Sequence, residues 1–302
     1  MYKNIRAAVM GSINMDFIMS MEKMPECGEN IVGNTYSYAC GGKGANQATA
    51  LKKLGADVRM IGKVANDSNG ALLIDNLKSA GVNIDDISTD GDVTGLAVIM
   101  LDGEGKNRIV VYEGANAQID PVTASNAINN SLNLLLVQFE TNEEAVISTV
   151  NKAIKENVLT VVDCGPAKNF ALEKMQGVTV ITPNESETKA LTGISLDNEE
   201  SILSASKILE ERSKAKYVVL KLGSRGCSVW DGNALKILPP YPSNVVDTTA
   251  AGDCFTAAMA LELAVGSDIY QACDMGNKAG SIAVSRLGAD SSMPDFDELI
   301  NF

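Results

Sequence analysis

The sequence contains no histidine, one tryptophan and only 5% aromatic residues. Without imidazole there can be no Ser-His-Asp hydrolase, no Cys/His nucleophile and no His-based dehydrogenase. Acid–base work falls to Asp, Glu, Lys, Tyr or Cys. The six cysteines (Cys27, Cys40, Cys164, Cys227, Cys254 and Cys273) form no C-x-x-C pair. That argues against a structural zinc site and for reduced, partly buried thiols. Positive charge is also scarce. With 25 Lys and Arg against 38 Asp and Glu, the formal charge is −13, which disfavours nucleic acid as a partner. A polyanionic small molecule would have to be held by local devices: helix N-termini, a few Lys or Arg, and a metal ion. No apolar run approaches the roughly 18 residues that cross a bilayer. The opening MYKNIRAAVMGS is too short in hydrophobic residues for a signal peptide. A soluble, cytoplasmic chain with no membrane partner is expected.

What is present is an alternation of short apolar runs with helical patterns. IRAAVMG (5–11), VRMIGKV (58–64), LNLLLVQF (132–139), VLTVVD (158–163), VTVIT (178–182) and YVVLKL (217–222) read as strands. KGANQATALKKLG (43–55) and SNGALLIDNLKSAG (68–81) read as helices, and a third is opened by Asn142. Continuous apolar strands with intervening helices imply an α/β fold: a mostly parallel sheet covered by helices on both faces. Residues 13–40 and 93–113 break the rhythm. They alternate, and D-G-E-G-K at 102–106 is turn-like, so they are expected to form a small antiparallel β lid on a single domain spanning 1–302. A mere edge hairpin is the plainer alternative.

Three stretches carry chemistry. VVDTTAAGDCF (245–255) spends small residues on the approach to Asp253, with helical spacing immediately after it. Small residues let backbone approach a ligand, and the free N–H groups of a helix start hold negative charge; an ordinary capped helix explains the run equally well. ACGGKGANQA (39–48) sets Gly41, Gly42 and Gly44 before a helix. It matches neither the P-loop nor the dinucleotide fingerprint, and stands as an anion cradle or a flexible hinge. In VMGSINMDF (9–17), Asn14 and Asp16 lie two apart in an extended segment and so point to one side. An amide beside a carboxylate suits the vicinal hydroxyls of a sugar; an exposed Asx turn is the alternative.

With these in view, the chain resembles the ribokinase-like family of sugar and nucleoside kinases nearly end to end. GSINMD, GGKGANQA, GANAQI, TPNESE, LGSRG, DTTAAGD and AVSRLGADSSMP occur in family order. The resemblance implies ATP-dependent phosphorylation of D-ribose at its 5-hydroxyl. Asp253 would be the general base and the N–H groups of Ala250, Ala251 and Gly252 an anion hole. Asn14, Asp16, Gly42, Lys43, Asn46 and Glu140 match sugar-contacting positions. Asn184 and Glu187 match an N-x-x-E element tied to Mg²⁺ and phosphate. Lys221, Gly223, Ser224, Arg225, Gly226, Gly252 and Asn277 fall where ATP is held. Asp247, Thr249, Ala283, Arg286, Gly288 and Ser292 match a monovalent-cation (K⁺) loop. The lid would cover the sugar and form a homodimer contact. The chain departs from the family's pattern at Lys221, where threonine is usual, at Ala65, where glycine is common, and at Tyr112–Glu113 before GAN. A sister kinase for 2-deoxyribose, another sugar or adenosine, and a non-catalytic sugar-binding sensor, are the rival readings. A dinucleotide oxidoreductase lacks its G-x-G-x-x-G after the first strand.

Overall fold

A computed structural model describes residues 2–104 and 106–302. The strands are β1 (Arg6–Met10), β2 (Asn14–Ser20), β3 (Thr35–Gly41), β4 (Asp57–Ala65), β5 (Asn83–Gly91), β6 (Gly95–Leu101) and β7 (Asn107–Tyr112). They continue with β8 (Leu134–Gln138), β9 (Leu159–Asp163), β10 (Val180–Ile181), β11 (Tyr217–Lys221), β12 (Cys227–Trp230) and β13 (Leu235–Leu238). The helices are α1 (Lys43–Lys53), α2 (Ser68–Ser79), α3 (Pro121–Asn126), α4 (Glu143–Lys155) and α5 (Glu185–Thr192), then α6 (Glu199–Ser213), α7 (Ala251–Ala264), α8 (Ile269–Ala283) and α9 (Phe296–Asn301).

Nine strands form one sheet in the order β13-β12-β11-β10-β9-β8-β1-β4-β5, parallel from β11 to β5, with β12 and β13 antiparallel at one edge. The period of two along β1 explains how helices cover both faces. Ala7 and Val9 pack into one apolar cluster with α1, α7 and α8, while Ala8 and Met10 pack into the other with α4 and α6. No helix among the described residues is long and apolar enough to cross a membrane.

The irregular segments form a separate four-stranded sheet, β3-β2-β6-β7. β2–β3 and β6–β7 are antiparallel hairpin pairs. The central pair β2–β6 is parallel, with Asn14 opposite Gly95, because both strands leave the main body at the same level. The turn expected at 102–106 includes Gly105, which lies outside the described residues. β5 was not legible as a strand: NIDDISTDG is polar, and it reaches the sheet only as an edge partner of β4. β10, expected over 178–182, is only two residues long. It is followed at once by the N-cap Asn184, whose side chain accepts from the Glu187 amide.

Candidate active site

The parallel strands end together along one rim, where open α/β sheets bind ligands. The link after β1 delivers Ser12 and the start of β2 Asn14, β8 leads to Glu140, β9 ends in Asp163, β10 leads to Asn184 and β11 ends in Lys221. From above, α1 contributes Lys43, Asn46 and Gln47, and α7 contributes Asp253. A cleft of about 990 Å³ runs along this rim, lined by Lys43, Asn184, Lys221, Gly223, Gly252 and Asp253 among others.

Asp253 sits in the first turn of α7 and is 5% exposed. Its two oxygens are held apart: Asn46 Nδ2 donates to Oδ2 at 3.0 Å and Gln47 Nε2 to Oδ1 at 3.0 Å. Burial pushes its pKa up, opposed by the Lys43 ammonium and aided by the Asp163 charge. The residue before the helix, Ala250, adopts the left-handed conformation (φ 58°) and gives no side-chain cap. The helix start therefore keeps unspent donors. Of the three amides expected to form an anion hole, that of Ala251 is taken: it donates to the Thr248 carbonyl at 3.3 Å, and Cys254 N donates to Ala250 O at 2.9 Å. The amides of Ala250, Gly252 and Asp253 meet no protein acceptor among the described residues. Bare amides at a helix N-terminus attract an anion.

The other end of the cluster is built on glycine. Gly42 has φ +93°, and a Cβ there would lie 2.7 Å from both Asn14 N and Ser12 O; Gly41 backs directly onto the Asp16 carboxylate. Asn14 is fixed by Asn116, whose Nδ2 donates to Asn14 Oδ1 at 2.7 Å. Ser12 Oγ donates to Glu140, and the Lys43 amide donates to Glu140 Oε2 at 3.4 Å. Asp16, by contrast, receives no hydrogen bond among the described residues. Its pKa is raised to about 7, by burial first and then by the charges of Glu140 and Asp253. Because the folded state holds this proton more tightly, its contribution to stability is fully present below the ordinary value of 3.8. It is lost as pH rises through about 7. Asp16→Asn is therefore expected to raise the thermal midpoint at pH 8, by roughly 1–3 kcal/mol of stability, and far less at pH 5. Melting curves at the two pH values check it.

Between these ends lies a charge network. Gln47 Nε2 also donates to Asp163 Oδ2 at 2.9 Å, and Gln138 Nε2 donates to Gln47 Oε1 at 2.7 Å. Lys221 Nζ stands 2.9 Å from Asp163 Oδ1. The lysine, despite its burial, holds Asp163 below the usual carboxylate range, and the Lys43 charge adds to this. Glu187, buried and raised in pKa by burial, accepts from Asn184 N at 2.7 Å in a capping box. Its carboxylate and the Lys43 side chain both lie against Gly165. Burial would lower the pKa of Lys43, but the carboxylates of Asp253, Asp163, Glu187 and Glu140 raise it, so the ammonium stays charged.

The sequence-predicted residues are thus not all gathered. Asn14, Asp16, Gly42, Lys43, Asn46, Glu140 and Asp253 converge. Asn184, Lys221, Gly223, Ser224, Gly226, Gly252 and Asn277 line the cleft. Arg225 is not among the lining residues; its guanidinium pairs with Glu185, which does line the cleft, and donates to the Leu196 carbonyl. Among the residues expected to hold K⁺, Asp247 Oδ2 accepts from Gly288 N at 2.9 Å and Oδ1 from Thr249 N at 2.9 Å, bringing two segments together. Arg286 faces away to Glu298. Ala283 is buried at the end of α8, and Ser292 Oγ donates to Ala289 O. Gln47, Asp163 and Asn116 escaped the sequence reading. Gln47 follows Asn46 directly, Asp163 is the acid that closes an apolar strand, and Asn116 stands in the GANAQI run.

Residues 4–295 match the pfkB family carbohydrate kinase profile. The chain belongs to the pfkB family. Within it, this pfkB chain is 35% identical over 294 residues to the ribokinase of Bacillus subtilis, covering 96% of its own length and 97% of the relative's. It is 37% identical over 298 residues to the bifunctional ribokinase/ribose-5-phosphate isomerase A of Fructilactobacillus sanfranciscensis. There it covers 97% of itself but only 55% of that longer protein. The solved structure of Arabidopsis thaliana ribokinase complexed with ribose and ATP superimposes with a TM-score of 0.88 at 30% identity, over 100% of this chain and 98% of that one.

Proposed function

We propose that this chain transfers the γ-phosphoryl group of ATP to the 5-hydroxyl of D-ribose, giving ribose 5-phosphate and ADP. One observation carries the reading. The Asp253 carboxylate, gripped by Asn46 and Gln47, stands at the start of a helix whose amides are unspent, between the cleft and the Asn14–Asp16–Glu140 cluster.

Asn14, Asp16 and the Gly42 loop bind the sugar's hydroxyls, with the unpartnered Asp16 carboxylate accepting from them. Asp253 takes the proton of the 5-hydroxyl as the new O–P bond forms. The bond from the γ-phosphorus to its bridging oxygen breaks, and the electron pair stays on ADP. The amides of Ala250, Gly252 and Asp253 receive the charge carried by the phosphoryl group. A loose transition state leaves positioning and charge stabilisation as the main contributions. The adenosine part of ATP occupies the cleft between Gly223–Gly226 and Asn277.

No group of three or more His, Cys, Asp or Glu forms a cation cage among the described residues. Mg²⁺ needs no such cage, since it commonly binds through one or two carboxylates, water and substrate phosphates. Glu187, behind the Asn184 cap, is the carboxylate that would hold it, and the ion would neutralise phosphate charge. K⁺ would sit on backbone carbonyls between the 247–249 and 283–292 segments. The chain acts as one α/β unit over 1–302, with 13–40 and 93–113 as a lid that keeps water from ATP. One face of the lid's sheet exposes apolar side chains (Tyr36, Tyr38, Val110, Tyr112) and pairs two copies; sedimentation of a monomer would remove that part of the reading.

The experiment is a coupled ADP-release assay over ribose, 2-deoxyribose, hexoses and adenosine, with Mg²⁺, in K⁺ and again in Li⁺. Ribose is expected to turn over fastest, and Li⁺ to slow it. Faster turnover of 2-deoxyribose or adenosine would displace ribose as the substrate.

A further inference from the structure

The family resemblance puts position 221 among those that hold ATP but has a threonine there, so it does not say what the ammonium of Lys221 does. We infer that Lys221 is a catalytic residue: its ammonium, held by Asp163, contacts the phosphoryl group in flight alongside the α7 amides. The inference rests on the kinase reading above and deepens it.

Three observations support it. Lys221 is the last residue of β11, at the rim of the sheet, and its side chain lines the cleft. Its Nζ lies 3.8 Å from the point where a Cβ on Gly252 would stand, beside one of the unspent amides. An ammonium has three N–H donors. Asp163 Oδ1, at 2.9 Å, is its one acceptor among the described residues, so two donors face the cleft unused.

Asp163 fixes the position. It is 1% exposed and is itself held by Gln47 at 2.9 Å and Thr256 at 3.3 Å, so the ion pair is anchored to α1 and α7 together. The carboxylates of Asp163 and Glu187 outweigh the burial of Lys221 and raise its pKa. It therefore enters the reaction charged. As the phosphoryl group moves, one bond to phosphorus forms and one breaks; Lys221 exchanges no proton and acts by charge alone. Lys43 also lines the cleft, so a second ammonium is at hand for the same group.

The alternative is an ion pair that only braces β9 against β11. Four proteins separate the two: wild type, Lys221→Gln, Lys221→Arg, and the double variant Lys221→Met/Asp163→Asn, which removes both charges and leaves no stranded carboxylate. For each, kcat, KM for ribose, the ADP dissociation constant and the thermal midpoint are measured. The double variant is expected to melt near wild type, and Lys221→Gln, which strands the buried Asp163 carboxylate, to melt lower; both should bind ADP within about 3-fold. Their kcat should fall roughly 10²–10³-fold, the usual effect of removing one donor to a transition-state anion. KM for ribose should stay within about 3-fold, and Lys221→Arg should recover at least about 10-fold over Gln. A double variant with kcat within about 3-fold of wild type overturns the inference and leaves the kinase reading standing. If the double variant does not fold, a Gln variant with near-wild-type kcat does the same. A wild type that moves no phosphate from ATP to any sugar sinks the kinase reading, and the inference with it.

Discussion

Asp253→Asn should lower kcat by about 10²–10⁴-fold, the span of a lost general base, while the protein melts no lower than wild type. The two halves of that expectation have one cause. Asp253 is buried at the foot of α7, and burial raises its pKa. Removing its charge thus relieves a cost that the folded state bears for the sake of the reaction. The substitution is nearly isosteric, so the Gly252 and Asp253 amides stay in place and ATP affinity should change little. One asparagine oxygen can still accept from Asn46 or Gln47, but its NH₂ must face the other's donor. KM for ribose is therefore expected to rise a few-fold. A fall in kcat well under 100-fold would reject Asp253 as the base. A collapse in melting temperature would show that the carboxylate serves structure instead.

Gly42→Ala should be the most damaging single-methyl change on the sugar side. Gly42 has φ +93° and ψ 133°, a region that residues with a Cβ avoid. The added Cβ would stand 2.7 Å from Ser12 O and from Asn14 N, both backbone atoms. Neither can yield without moving the β1–β2 link that carries Ser12 and Asn14 into the site. The expected cost is about 3 kcal/mol or more of stability, with ribose affinity reduced at least 100-fold. Denaturant titration and ribose calorimetry check the two. Gly165→Ala is a useful contrast. Its Cβ would meet the ends of the Glu187 and Lys43 side chains, at 2.6 to 2.9 Å, and these can swing aside. A Gly42 variant with normal stability and sugar affinity would mean that this loop does not shape the site.

Much of this architecture could be read from residue order. The apolar runs ending at Met10, Gln138, Asp163 and Lys221 are the parallel strands, because strands buried on both faces show themselves as continuous hydrophobic stretches. The 245–255 run announced a helix start with bare backbone, and the structure has one. β5 was hidden because an edge strand needs no continuous apolar run, and NIDDISTDG lacks one. The roles of Gln47 and Asp163 were hidden for a different reason. Gln47 Nε2 spans two carboxylates that are 90 residues apart in the chain, and no local spacing encodes such a meeting. Lys221 was visible as an unusual residue, but its neighbour Gly252 was not visible as such. Only folding brings β11 beside the start of α7. Arg225 shows the converse. It stands inside a motif, yet its guanidinium is committed to Glu185 and the Leu196 carbonyl.

The two-residue strand β10 separates β9 from β11, and its narrowness has a consequence for descent. Neighbouring strands lie about 4.8 Å apart, so the ends of β9 and β11 are about twice that distance from each other. An aspartate reaches part of the way and only a long side chain closes the remainder, which a threonine at 221 could not. A lineage that exchanged this lysine for threonine would leave Asp163 buried without its ion-pair partner, a loss that is strongly destabilising. The acid has to be neutralised before the lysine can go. Positions 163 and 221 are therefore expected to change together, although they stand 58 positions apart in the chain.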